Sequence, residues 1–133
     1  MKILFICSGN AYRSPVAEAL LKKLKPEISV DSAGIHPPLI PLSKIVRRYL
    51  AKENAEQYLK KTPEDFASKR LSEYNLIVAM EPRHKGAVLS LCPEYKGKIV
   101  VWNIYDSYFA LEDCTEETFE QIKQKVKELA DSL

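Results

Sequence analysis

Residues 2–19 read KILFICSGNAYRSPVAEA, and this stretch decides the fold. Ile3 to Ile6 is an apolar run that ends in Cys7, the pattern of a parallel strand buried on both faces. A loop of small and turn-prone residues follows, Ser8-Gly9-Asn10-Ala11-Tyr12, and closes on Arg13. Ser14 suits an N-cap and Pro15 a first helical position, so a helix is expected from Ser14 to about Leu24. A thiol therefore sits at the carboxyl end of a strand, before a loop that runs into a helix N-terminus. Open α/β sheets bind their ligands at such places.

The residue types of the loop point to an anion site. Folded back over Cys7, the loop can aim the main-chain N–H groups of Ser8, Gly9, Asn10, Ala11, Tyr12 and Arg13 at one centre. The helix dipole adds positive potential there, which selects phosphate-like groups. Gly9 and Asn10 tolerate the left-handed backbone that such a nest requires. Arg13 offers a planar fork for two phosphate oxygens, which a lysine lacks. The same donors stabilise a thiolate, so Cys7 should be ionised and nucleophilic near neutral pH. The Ser14 hydroxyl is placed to hydrogen-bond that sulfur and to ease its later departure. The competing reading, a buried structural cysteine beside a surface arginine, leaves the Gly-Asn pair and the Ser-Pro helix start unexplained.

Cys7 to Pro15, followed by Ala17-Glu18-Ala19, resembles the C-x-G-N-x-x-R-S-P signature of the low-molecular-weight protein tyrosine phosphatases. Asp31-Ser32-Ala33-Gly34 matches the D-S-A-G of that family, and Met80-Glu81 resembles its M-D or M-E step. Asp106-Ser107-Tyr108-Phe109 resembles its late D-P-Y-Y, with Ser107 in place of the proline. Asp65 to Leu71 resembles its D-H-x-A-R-x-L, with Phe66 where members often carry a histidine that pins the catalytic loop. The resemblance implies phosphomonoester hydrolysis, with protein phosphotyrosine or a small aryl phosphate as substrate, through a phosphocysteine on Cys7. It further implies that Arg13 binds phosphate, that Ser32 bonds Asn10, and that Tyr108 and Phe109 wall the substrate ring. Tyr12 and Tyr49 are candidates to extend that wall.

A general acid is needed as well, because a phenolate, with a pKa of about 10, departs far more readily when protonated. The loop after the fourth strand leaves the same sheet edge as Cys7, which makes Asp106 the candidate, with Glu112 and Asp113 as alternatives in the same loop. Arg13 and the loop amides neutralise the phosphate charge, so neither a metal nor a cofactor is expected.

The remaining chain alternates strands and helices. Ile28 to Ser32, Leu76 to Met80 and Ile99 to Trp102 read as strands. Ser43 to Glu53, Pro82 to Leu91 and a final segment capped by Thr115 read as helices, and Ala55 to Lys61 as a short one. Expected inward residues are Ala17, Leu20, Leu21 and Leu24; Ile45, Val46, Tyr49 and Leu50; Ala87, Val88 and Leu91; and Phe119, Ile122, Val126 and Leu129. Cys92 reads as a small buried hydrophobe, while His36 and His84 are expected to be exposed. The architecture predicted is three-layer α/β/α, with a central four-stranded parallel sheet and a phosphate-binding loop after its first strand.

A chain of 133 residues, 46% of them hydrophobic, suits a single domain spanning 1–133. A net charge of +2 without a basic stripe argues against a nucleic-acid partner, and no apolar run is long enough for a membrane span. Three widely spaced cysteines argue against a disulfide framework and for a reducing cytoplasm, and two isolated histidines argue against a zinc site. A monomer is expected. Two alternatives stay open: a thiol-dependent arsenate reductase, which shares C-x5-R but relays oxidation to further cysteines, and a non-catalytic phosphotyrosine-binding module of the same fold. Tyr12 stands where many relatives carry a second loop cysteine, so peroxide is expected to inactivate Cys7 without a protective disulfide.

Overall fold

The computed structural model describes residues 1–38, 42–105 and 112–133, the last stretch with side chains from residue 116 onward. Strands β1 (Lys2–Cys7), β2 (Ser29–Gly34), β3 (Leu76–Ala79) and β4 (Ile99–Val101) form a parallel sheet in the order β2-β1-β3-β4. Helices α1 (Arg13–Leu24), α2 (Lys44–Lys52), α3 (Pro82–Leu91) and α4 (Glu112–Ser132) accompany them. Cys7 pairs with Gly34 on one side, and Ile6 pairs with Ala79 on the other.

The burial of β1 follows its composition. Ile3, Phe5 and Cys7 join a core with Val16, Leu50, Phe119 and Ile122, which come from α1, α2 and α4. Leu4 and Ile6 point the other way, into a core with Phe66, Leu71, Val88 and Ile99. Both faces of the central strand are thus covered, which its unbroken apolar run requires. The architecture is the three-layer α/β/α sandwich expected.

The strand order also locates the site. The chain leaves β1 for β2 on one side, then returns to β3 on the other, so the order reverses at β1. The crevice opened by that reversal lies beyond the carboxyl ends of the strands, where the loops after β1, β3 and β4 meet.

Several expectations are corrected. β2 continues to Gly34 instead of stopping at Ser32, because Ala33 and Gly34 pair with Ile6 and Cys7. The short helix expected over Ala55 to Lys61 is a single 3₁₀ turn, Glu56–Tyr58. α4 begins at Glu112, three residues ahead of the Thr115 taken as its cap. Leu91 is 57% exposed and Cys92 half-buried. The ten residues of α3 rise about 15 Å, against about 13 Å for the four of β3, so its last turn outruns the sheet. Leu24, at the end of α1, is likewise exposed, and Leu129 is only half-buried. Among the described residues, no helix is long and apolar enough to cross a membrane.

Candidate active site

At the end of β1 the Cys7 thiol is almost fully buried. Its Sγ accepts the main-chain N–H of Asn10 at 3.2 Å and lies 2.9 Å from Ser14 Oγ. The loop turns at Asn10, whose φ of 53° is the left-handed conformation that asparagine tolerates. Of the two residues able to adopt it, Asn10 does so and Gly9 does not. Asn10 is fully buried and fully bonded: its amide Nδ2 donates to Ser14 Oγ (2.8 Å) and Ser32 Oγ (2.9 Å), and its Oδ1 accepts from Glu64 N (2.8 Å).

These bonds have a direction. Ser14 Oγ already accepts from Asn10, so its own proton is free to be donated to Cys7 Sγ. The sulfur therefore faces two hydrogen-bond donors, the Asn10 N–H and the Ser14 O–H. This use of the hydroxyl explains a local departure. Ser14 does not cap α1, which begins one residue earlier at Arg13, after a Tyr12 that makes no side-chain cap. Among the described residues, the main-chain N–H groups of Gly9, Ala11 and Arg13 meet no protein acceptor.

Beneath the loop, Gly34 leaves no room for a side chain. A Cβ there would lie 2.8 Å from Asn10 N and Gly9 C. The last residue of β2 thus supports the turn through its lack of a side chain.

Arg13 is 2% exposed and held on one edge of its fork. Nη1 donates to Glu81 Oε2 at 2.6 Å and to the Ile104 carbonyl at 2.7 Å, while Nη2 reaches Ser8 Oγ at 3.3 Å. Among the described residues Nε–H and the second Nη2–H meet no acceptor, and these adjacent donors match two oxygens of a tetrahedral anion. Burial draws the Glu81 carboxyl upward, but hydrogen bonds from Arg83 and Arg13 outweigh it and hold the pKa at about 2.

His84 corrects the sequence reading outright: it is 1% exposed, not on the surface. Its Nδ1 accepts the Glu81 N–H at 3.1 Å, and its Nε2 lies 2.9 Å from Ser8 Oγ. The physical reason is reciprocal capping at the start of α3, where the third helical residue turns back onto the N-cap N–H. Histidine takes here the position usually held by Glu or Gln, and the spacing Glu81-Pro82-x-His84 was the available signal.

A second network backs the loop from the side of β2. Ser32 Oγ donates to Glu18 Oε1 and accepts from Asn10, and Lys60 Nζ donates to Ser32 O at 2.6 Å and to Ser32 Oγ at 3.2 Å. Glu18 also pairs with Lys22 at 2.6 Å, and Lys69 pairs with Asp31 (2.7 Å) and Glu64. Phe66 stands in the apolar layer instead of bonding the loop. Asn10 nevertheless keeps every partner, through Ser32 and Glu64. Glu18 stands in the Ala17-Glu18-Ala19 stretch quoted above, but its contact with Ser32 on β2 was not foreseen, and Lys60 belongs to no motif whose spacing marks it.

The sequence-predicted residues are thus partly assembled. Cys7, Ser8, Asn10, Arg13, Ser14 and Ser32 converge, and Gly9 and Ala11 lie in the same turn. Tyr12 is half-buried against the core. Tyr49 is no wall of this site: its ring stacks on Phe119 at 5.0 Å and its hydroxyl donates to Glu120 Oε1 at 3.0 Å. Asp106, Tyr108 and Phe109 lie outside the described residues, as do the side chains of Glu112 and Asp113. His36 is exposed, as expected.

This geometry agrees with what the chain is similar to. The family model for the low molecular weight phosphotyrosine protein phosphatases matches residues 2–133, and the chain belongs to that family. The low molecular weight protein-tyrosine-phosphatase Wzb of Salmonella typhimurium is 29% identical over 139 residues, covering 99% of this chain and 93% of the relative. The solved structure of Vibrio vulnificus Wzb with benzylphosphonate matches at a TM-score of 0.89 and 28% identity, over 99% of this chain and 98% of that one. Wzb of Escherichia coli K30, solved with sulphate, matches at 0.85 and 27% identity, over 98% and 96%.

Proposed function

We propose that the protein hydrolyses phosphotyrosine or a related aryl phosphate through a phosphocysteine intermediate on Cys7. The observation that carries this reading is a buried sulfur facing two donors, Asn10 N–H and Ser14 O–H, in a turn closed by a tethered Arg13. Cys7 Sγ attacks phosphorus in line while Arg13 and the loop amides hold the equatorial oxygens. The P–O bond to the ring breaks as Asp106 protonates the leaving oxygen. A water then attacks phosphorus, Asp106 takes its proton, and the P–S bond breaks with Ser14 stabilising the departing thiolate. Ile104, two residues before Asp106, is bonded to Arg13, so the chain enters the acid's segment from beside the loop. The benzylphosphonate bound by the Vibrio vulnificus relative, an aromatic ring on a phosphonate, is of the substrate class proposed.

An arsenate-reducing relay finds less support. Cys92 follows α3 and precedes β4, at the edge where strands begin, opposite the end that carries Cys7. The deciding measurement is hydrolysis of para-nitrophenyl phosphate without added metal. Cys7→Ser should abolish turnover, and Asp106→Asn should lower kcat by about 10²–10⁴-fold. Near-normal kcat in Asp106→Asn would move the acid to Glu112 or Asp113.

A further inference from the structure

We propose that His84 is a positioning residue of the anion site, acting through the hydroxyl of Ser8. Its two ring nitrogens have separate tasks. Because Nδ1 accepts the Glu81 N–H, the ring proton sits on Nε2 and is donated to Ser8 Oγ. Ser8 Oγ also accepts from Arg13 Nη2. With both lone pairs engaged, the only orientation left to the Ser8 hydroxyl sends its proton away from His84 and Arg13. Ser8 lies directly after Cys7, at the rim of the turn, and is half-buried, so that proton faces the space an oxyanion enters. The inference rests on the phosphate-binding reading of the loop and deepens it: His84 converts a freely rotating hydroxyl into a fixed donor beside the arginine fork.

The ring is held for this purpose from α3. Glu81 fixes Arg13 through its carboxylate and His84 through its main-chain N–H, and His84 Nε2 lies 3.9 Å from Glu81 Oε2. One residue, the N-cap of α3, therefore sets both donors that converge on Ser8.

The two tasks can be separated by substitution. His84→Asn keeps an acceptor where Nδ1 lies, so the helix cap survives, but loses the donor to Ser8. His84→Gln reaches Ser8 with its amide N–H and loses the cap. The readouts are kcat and KM for para-nitrophenyl phosphate, and the dissociation constant of inorganic phosphate taken from its protection against thermal unfolding. For His84→Asn, phosphate affinity is expected to fall about tenfold, the equivalent of one lost hydrogen bond, with KM rising more than kcat falls. His84→Gln should stay closer to the wild type. In a Ser8→Ala background the difference between the two variants should vanish. A purely structural cap predicts the reverse order, Gln worse than Asn, and that order, or equal affinities in all three proteins, overturns the inference. An inactive wild type would instead overturn the phosphatase reading, while the phosphate titration would still decide the role of His84.

Discussion

At the scale of single residues, the site is a chain of fixed hydrogen-bond directions, and its far end is Lys60. That ammonium lies 3.2 Å from Glu64, 3.8 Å from Asp31 and 3.9 Å from Glu18, and it holds Ser32, which holds Asn10, which orients Ser14 toward the sulfur. Lys60, which follows the 3₁₀ turn Glu56–Tyr58, thus supports the loop from outside the sheet, in a chain where Phe66 packs in the apolar layer. Lys60→Met should cost about 3 kcal/mol of stability, since it strips a cation from the buried Glu18 while Lys22 stays. It should also lower kcat/KM. Adding Glu18→Gln should recover part of the stability, because no buried carboxylate is then left short of a partner. Urea melts of both variants check this, and an unchanged midpoint in Lys60→Met would contradict it.

At the scale of elements, the active loop is positioned by α1, and α1 is positioned by what covers it. Phe119, Ile122 and Val126 of α4 lie in one core with Val16 and Leu20 of α1 and Tyr49 of α2. The Phe119 ring meets Tyr49 at 5.0 Å, so one aromatic side chain ties two helices together. Phe119→Ala should destabilise the protein by about 3–5 kcal/mol, through lost burial and the cavity left behind. The measurement is a denaturant midpoint that moves with an unchanged slope. The sequence placed the apolar stripes of α2 and α4 correctly in their centres and erred at helix ends. Ser14 was drawn off its capping role by the sulfur, and Leu91 overhangs a short strand.

For the whole molecule, acid should be the weak direction. Glu81 is lowered from 4.5 to about 2 by Arg83 and Arg13 against the opposing effect of burial. Asp31 and Glu64 are also lowered: burial opposes, but Lys69 and Lys60 outweigh it. A carboxyl with a depressed folded pKa contributes stability above its unfolded value and loses it as pH falls through the folded one. Unfolding free energy should therefore decline between about pH 5 and pH 2. Glu81→Gln should flatten the lower part of that decline, and a stability independent of pH over this window would refute the assignment.

What the sequence by itself determined was local. The run Ile3 to Ile6 announced a strand buried on both faces, and the step from Cys7 to Arg13 into a Ser-Pro start announced an anion loop. Residues a few places apart are bound to meet, so spacing and residue type are enough to read them. Tertiary structure alone decided what holds that loop. Ser8 meets His84 across 76 residues, Arg13 meets Glu81 across 68 and Ile104 across 91, and Asn10 meets Glu64 across 54. Gly34 could be seen to match a motif, but not to lie where a Cβ would strike the turn. A buried polar group is legible only once its partner is known, and these partners are brought together by the order in which the strands pair.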